Sequence, residues 1–281
     1  MRSQEQGARL RGWADTAYYS NLPSAVASFL YKTLVITELE VRKLRHDSTD
    51  LFTRAIQPAL WLLVFGQVFT RTRAIPTGNL RYLDFMAPGI LSQSVLFISI
   101  FYGLSIIWER DLGVVHKFLA SPTPRTALVL GKALSAGVRG LAQAVIIYAL
   151  SLALGVAIDW SPLSLAGVLL VVVLGAGLFS VLSLVIACLV KTRERFMGIG
   201  QMITMPLFFA SNAIYPVSMM PGWLQVIAHV NPLTYEVDAL RTLMLDASPS
   251  TYGIGLDMGV LLAALTVLTA VAAKLYPSVV V

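Results

Sequence analysis

Few residues in this chain could perform covalent chemistry, and their spacing argues against it. Gly131-Lys132 is followed by Ala133 and lacks the upstream glycine of a phosphate-cradling loop. His46, His116 and His229 are dispersed, so no metal ligand set is suggested. No Ser, His and Asp arrangement of the nucleophilic kind stands out. Cys188 is the only cysteine and lies in an apolar run, which excludes an internal disulfide. A membrane-embedded enzyme needs convergent acid, base or metal groups, and none are visible. A secondary transporter usually shows internal repeats and midplane ion sites, and neither is apparent. The polar residues within apolar runs are Gln57, Gln67, Gln93, Arg139, Gln143, Gln201 and Asn212. Hydrogen bonding between helices explains such residues about as well as a polar path does. Arg139 lies about 10 Å of helix beyond Lys132. It either faces a cavity or partner, or snorkels to the interface.

The stretch WERDLGVVHKFLASPTPR, from Trp108 to Arg125, is a charged island between two long apolar runs. Leu112, Val115 and Leu119 recur at steps of three and four, with Phe118 beside them. Glu109, Arg110, Asp111, His116 and Lys117 point elsewhere, which predicts a short amphipathic helix. Ser121-Pro122 ends it, because the residue before proline is pushed out of the helical region. Thr123 can cap the next helix, with Pro124 at its first position. A short helix held between two spans tilts both when pushed. Another protein is expected to push here.

The elements that hold this stretch follow from composition. The 281 residues are 57% hydrophobic and 13% charged, with mean hydropathy +0.74. A soluble domain carries about 25% charged residues, so the chain reads as an integral membrane protein. The formal charge of +6 does not argue for nucleic acid, because the charges flank apolar spans. At about 20 residues each, six spans are expected. They are Leu51 to Phe69, Phe85 to Trp108, a third rising from Pro124, Leu163 to Val190, a fifth beginning near Phe196, and Met258 to Ala273. Asp159-Trp160-Ser161-Pro162 turns the third into the fourth. Ala133, Gly137, Gly140 and Ala144 share one face of the third, which predicts close helix packing.

Phe196 to Tyr235 holds no Asp, Glu, Lys or Arg and is about twice a span in length. Pro206, Pro216, Pro221, Gly222 and Pro232 prevent one straight helix. The division expected is a span to about Tyr215, then a broken hairpin that re-enters the membrane without crossing. An ordinary apolar loop is the alternative.

Lys and Arg set the orientation. Sixteen of the 21 fall on one side: the N-terminal region to Arg54, the Trp108 to Lys132 stretch, Lys191 to Arg195, and Lys274. Arg71, Arg73, Arg81 and Arg241 fall on the other, and Arg139 lies within the third span. The positive-inside rule then puts both termini in the cytoplasm. Met1 to Ser28 shows no cleaved signal peptide and reads as a loosely attached tail. Phe29 to Arg45 carries Leu30, Leu34, Val41 and Leu44 as an apolar stripe opposite Glu38, Glu40, Arg42, Lys43 and Arg45. That suits a helix lying in the membrane interface. The resulting domains are a tail at 1–28, an amphipathic interface helix at 29–50, and a six-span domain at 51–277.

Four features together resemble the type-2 family of ATP-binding-cassette export permeases, notably its daunorubicin-resistance and nodulation-factor branch. They are YLDFMAPGIL at Tyr82 to Leu91, the Trp108 to Arg125 stretch with VLGK at Val129 to Lys132, AIYPVSMMPGWLQVIAHVNPLTYEVDALR at Ala213 to Arg241, and the six-span layout. The resemblance implies an all-α fold of six transmembrane helices with a cytoplasmic interface helix. It adds a coupling helix between spans two and three and an external re-entrant hairpin between spans five and six. It implies no catalytic centre and no cofactor on this chain. ATP and Mg would sit on a separate cytoplasmic ATPase, present in two copies. A second permease subunit, identical or homologous, and membrane lipids complete the partners.

Under that resemblance Glu109, Arg110, Leu112, Val115, Lys117, Leu119, Ser121, Pro122 and Arg125 couple to the ATPase. Tyr215, Pro216, Pro221, Asn231 and Pro232 form the external gate. Phe65, Phe69, Phe97, Phe101, Phe208, Phe209 and Asn212 are candidates for a path taken by an oily substrate, although such aromatics also serve as core or lipid-facing residues. The expected cargo is a hydrophobic drug or lipid-like metabolite, with a polysaccharide or glycolipid as the alternative. The expected location is the inner or plasma membrane.

The charge bias makes the topology testable. Reporter tags at Asp159 and Ser250 should read outside, and a tag at Arg193 inside. A cytoplasmic signal at Ser250 would mean that the 196–235 run crosses the membrane twice, and the six-span layout would fail.

Overall fold

The computed structural model describes residues 25–44, 53, 56–72, 75–78, 80–115, 123–190, 192–246 and 250–279. Among these residues the regular structure is helical, with one isolated bridge between Ile158 and Leu245. Most of the expected tail lies outside them, as do Lys117, Leu119, Ser121 and Pro122 of the coupling stretch.

The helices are α1 (Ala25–Leu44), α2 (Gln67–Thr72), α3 (Tyr82–Tyr102), α4 (Leu104–Asp111), α5 (Arg125–Ala153), α6 (Pro162–Leu189), α7 (Arg193–Phe209), α8 (Gly222–Val230), α9 (Pro232–Met244) and α10 (Ile254–Leu275). A π-helical turn at Trp61–Gly66 precedes α2. Four segments are long and apolar enough to cross a membrane: Tyr82–Asp111, Arg125–Ala153, Pro162–Leu189 and Ile254–Leu275. They correspond to expected spans two, three, four and six. The regions of spans one and five contain shorter helices, within 56–72 and in α7.

Capping sets several ends. Ser161 Oγ accepts from Ser164 N, and Pro162 takes the first position of α6. Asn231 and Pro232 do the same for α9. Helix α5 begins at Arg125 with Pro124 at its cap, one residue later than the sequence suggests. Gly155 adopts φ 70° and closes the far end of α5.

Lipid offers no water to expel between helices, so packing rests on close contact. The small-residue face of α5 meets α6 as expected. A Cβ on Gly137 would lie 3.0 Å from Val173, and one on Gly140 3.0 Å from Ala176. Helix α3 is the most enclosed element, with α5, α6 and α9 around it, and α10 is the most exposed span. Helix α1 lies on α5, where Ile36 and Thr33 fill the space beside Gly131. Thr37 Oγ1 also donates to the Gly131 carbonyl at 3.2 Å. The predicted Leu30 and Leu34 stripe faces outward and remains exposed, as a helix bedded in a lipid interface requires.

At the end carrying Asp159, backbone links replace side-chain packing. Asp159 N donates to Met244 O at 2.9 Å, and Ala157 N to Asp84 Oδ1 at 3.3 Å. The Ser164 hydroxyl, then the Ser161 backbone N–H, hold the Asp159 carboxyl below the usual carboxylate range. That contribution is present at neutral pH and fades only as pH falls through the lowered value.

Gly89 on α3 is pressed against the 210–215 turn. A Cβ there would lie 2.7 Å from Ala213 Cα and 2.9 Å from its carbonyl carbon. Gly89→Ala should therefore cost about 1–3 kcal/mol by overpacking, read as a lower melting temperature of the detergent-solubilised protein. Gly198→Ala, with nothing within 4 Å, is the control. Equal melting of the two variants would contradict this packing.

Candidate functional site

Helix α3 breaks at Gly103, and α4 continues after it. The missing Cβ lets Ser183 of α6 approach, and its hydroxyl donates to the Ile100 carbonyl. Helix α4 ends at Asp111, and Gly113 adopts φ 71°. That left-handed residue terminates a helix, so the expected stripe from Leu112 to Leu119 is interrupted. Helical geometry resumes at Val114. The interruption separates the two described anchors: Leu112 is 73% exposed and Val115 is 0% exposed. Val115 packs inside the protein with Ile106, Ile107, Leu128, Val129 and Phe196.

Ionic and aromatic contacts fasten this end. Glu109 is turned inward, and Lys132 Nζ of α5 donates to its Oε2 at 2.9 Å with both side chains buried. The Arg193 guanidinium at the start of α7 lies 3.4 Å from the Trp108 ring centroid, and donates to Asp111 Oδ2 at 2.8 Å. Arg110 donates to Asp111 Oδ1 at 3.0 Å. Arg139 lies 3.9 Å from the Tyr102 ring centroid and donates to Ser135 Oγ at 3.0 Å. Of the two readings of Arg139, a partner within the protein is the one observed. Arg125 is exposed in the first turn of α5. Helix α4 is thus tied to both α5 and α7. Arg193 and Lys132 were not legible as partners, since each pairs with a residue far along the chain.

The proline-rich stretch after α7 forms a second constellation. Asn231 Oδ1 accepts from Leu233 N at 3.0 Å, while its Nδ2 donates to Leu207 O at 2.7 Å and Ala210 O at 2.9 Å. One side chain therefore caps α9 and collects carbonyls freed at the end of α7. Tyr215 donates to Phe209 O at 2.6 Å, and Tyr235 to His229 O at 2.7 Å. Pro216 and Pro221 precede the short 3-10 turn and α8.

Arg241, counted by sequence as a loop charge, is instead buried in α9. It donates to Asn212 O at 2.7 Å and Phe85 O at 3.3 Å, with the Phe85 ring centroid 3.8 Å away. Pro88 in α3 lacks an N–H, which deprives the Asp84 carbonyl of its helical donor, one residue before the Phe85 carbonyl that Arg241 reaches.

The predicted aromatics divide. Phe65 and Phe69 stack in a row from Trp61 toward Tyr82, and Trp61 meets Phe208 and Phe209 edge-on. Phe97 and Phe101 pair with each other at 6.2 Å. Trp61, which joins the first group, has no distinguishing sequence pattern. Among the described residues no three His, Cys, Asp or Glu are placed to hold a metal ion.

The Glu109 and Lys132 pair can be tested directly. Lys132→Met leaves the Glu109 carboxylate without its Lys132 partner in a buried site, and should destabilise the protein by about 3–5 kcal/mol. Adding Glu109→Gln should recover most of that loss in thermal melts. No recovery in the double variant would show that the pair is not the source of the loss.

The profile of the ABC-2 type transporter family matches residues 31–245. The chain is 29% identical over 227 residues to the transport permease ycf38 of Cyanophora paradoxa, covering 78% of this chain and 77% of the relative. It is 28% identical over 200 residues to the daunorubicin resistance ABC transporter permease protein DrrB1 of Streptomyces coeruleorubidus, covering 71% and 70%. It is 24% identical over 192 residues to the inner membrane transport permease YadH of Escherichia coli, covering 66% and 72%. The family match spans α3 through α9, so both the fastened α4 end and the Asn231 and Arg241 constellation fall inside it: the chain belongs to the ABC-2 type transporter family of permeases, whose members associate with an ABC ATPase.

Proposed function

We propose that this chain is the permease subunit of an ATP-driven exporter that moves a hydrophobic drug or lipid-like metabolite out of the cytoplasm or inner leaflet. Two such subunits, identical or homologous, work with two cytoplasmic ATPases. ATP and Mg reside on the ATPase, and this chain carries no catalytic group or cofactor of its own. Six spans cross the inner or plasma membrane with both termini cytoplasmic, the shorter helices within 56–72 and α7 being the first and fifth. The 29–50 helix lies on the cytoplasmic interface, and α8 with α9 forms the external re-entrant hairpin.

The observation that carries this reading is the exposed Leu112 at the tip of the fastened helix α4. Closure of the ATPases on ATP displaces the stretch after α4. Glu109 passes that displacement to α5 through Lys132, and Trp108 with Asp111 passes it to α7 through Arg193. Helix α7 leads to the Asn231 lock, so a push at one end loosens the gate at the other. Such coupled helix shifts are the usual currency of switching between access states. Tyr215, Pro216, Pro221, Asn231 and Pro232 close the outer end. The row from Trp61 through Phe65 and Phe69, with Phe208 and Phe209, offers apolar surface to an oily cargo. The named resistance of the Streptomyces relative favours a drug-like cargo.

Leu112→Asp puts a carboxylate where an apolar cleft of the ATPase would close, a cost of several kcal/mol if water is excluded. The variant should reach the membrane, because the spans are untouched, yet lose substrate-stimulated ATP hydrolysis and export in reconstituted vesicles. Lys117→Ala should do much less, since an exposed rim charge is worth about 0–1 kcal/mol. Val115→Asp should instead damage membrane expression, because Val115 packs within the permease. Normal coupling by Leu112→Asp would remove this stretch from the transmission path.

A further inference from the structure

The exporter reading leaves one buried acidic group without a task. Glu236 on α9 is 0% exposed, and among the described residues neither of its carboxyl oxygens has a hydrogen-bond partner. It faces Gly175 of α6. A Cβ at that glycine would stand 2.5 Å from Oε1 and 2.6 Å from Oε2. The carboxyl therefore occupies the space that any side chain at 175 would take. Gly175 is at the middle of the 28-residue α6, so about 20 Å of helix separates the group from either end. Ser92 of α3 is the polar side chain against it, and its hydroxyl also makes no hydrogen bond.

Most charged and titratable groups on the surrounding elements are engaged elsewhere, although the buried Asp257 of α10 also has one carboxyl oxygen, Oδ1, without a hydrogen-bond partner among the described residues. On α3, Asp84 is held by Arg81 and Ala157 N, and no titratable residue lies between it and Tyr102. Helix α6 offers only Cys188, near its far end. On α8, His229 Nδ1 contacts Gln225 O. On α9 itself, Tyr235 binds His229 O, and Asp238 accepts from Ser250 Oγ, Thr251 N and Tyr252 N. Arg241 is turned to carbonyls of Asn212 and Phe85. On α10, Asp257 lies beside Ser250 in the first turn, and Lys274 is in the last. An ionised carboxylate at this depth without a compensating partner is so costly that such groups neutralise instead.

We propose that Glu236 is a proton-binding site at the centre of the helix bundle, protonated in the arrangement described and deprotonated when α9 withdraws from α6. On withdrawal water reaches the site, the carboxyl O–H bond breaks with its electron pair left on oxygen, and the proton passes to water. Opening at α9 is thereby linked to proton release, so acid favours the closed arrangement and alkali the open one. The protonation stands by itself; the link to opening rests on the exporter reading.

Infrared difference spectra of the permease with its ATPase, in lipid nanodiscs at neutral pH, test both parts. A protonated-carboxyl band should be present in the resting complex and lost in Glu236→Gln. Glu236→Asp keeps the carboxyl and should shift the band, which serves if the glutamine variant does not accumulate. Trapping with ATP and vanadate should reduce the wild-type band. Absence of the band at rest, or its persistence in Glu236→Gln without a shift in Glu236→Asp, overturns the site. A band assigned to Glu236 that trapping leaves unchanged, while vanadate still arrests ATP hydrolysis, overturns the link to opening. A complex that does not hydrolyse ATP would instead count against the exporter reading and leave the resting band to decide the site.

Discussion

Inside a bilayer every backbone N–H and C=O needs a partner supplied by the protein. Helices meet that demand internally, so the informative places are where this chain stops being helical within its apolar region. At Gly103 the Ile100 carbonyl receives the Ser183 hydroxyl. After α7 the Leu207 and Ala210 carbonyls receive Asn231, and the Asn212 carbonyl receives Arg241. These buried polar side chains do not serve chemistry. They make the breaks tolerable, and the breaks are what allow one helix to move relative to the next.

The two ends of the bundle are fastened differently, and the difference has mechanical consequences. At the Asp159 end, backbone contacts such as Asp159 N to Met244 O and the Ile158 and Leu245 bridge stand beside Arg81, which pairs with Asp84 and donates to the Gly155 carbonyl. At the Glu109 end they are long charged side chains reaching across helices: Lys132 to Glu109, Arg193 to Asp111 and Trp108. Side chains with several rotatable bonds let helices shift while remaining paired. The seam of α5 and α6, built on Gly137 and Gly140, is too closely packed to slide, so those two helices move as a unit.

Glu236 and Gly175 extend the same logic. A glycine halfway along α6 admits a carboxyl where a larger side chain would collide. On the proposal made above the group remains there only while it is neutral, whereas the buried charges nearby on α9, Asp238 and Arg241, are each held by hydrogen bonds.

Hydropathy and charge spacing are local properties, and whatever depends on them was readable from the chain. The apolar helices at Tyr82, Arg125, Pro162 and Ile254, the turn at Ser161-Pro162 and the small-residue seam all come from neighbours within a few turns. Side-chain direction at charged positions is not local. Glu109 looked like a rim charge and Arg241 like an external one, yet each is buried against a distant partner, Lys132 on α5 and the Asn212 carbonyl in the turn after α7, 23 and 29 residues away in the chain. Leu112 and Val115 share a stripe by periodicity, and only the left-handed Gly113 turns one outward and the other inward. Composition by itself pointed to a membrane protein and located its four long apolar helices. Which of its charges are handles for another protein and which are internal fastenings was decided by helix packing, because burial depends on what lies across the gap.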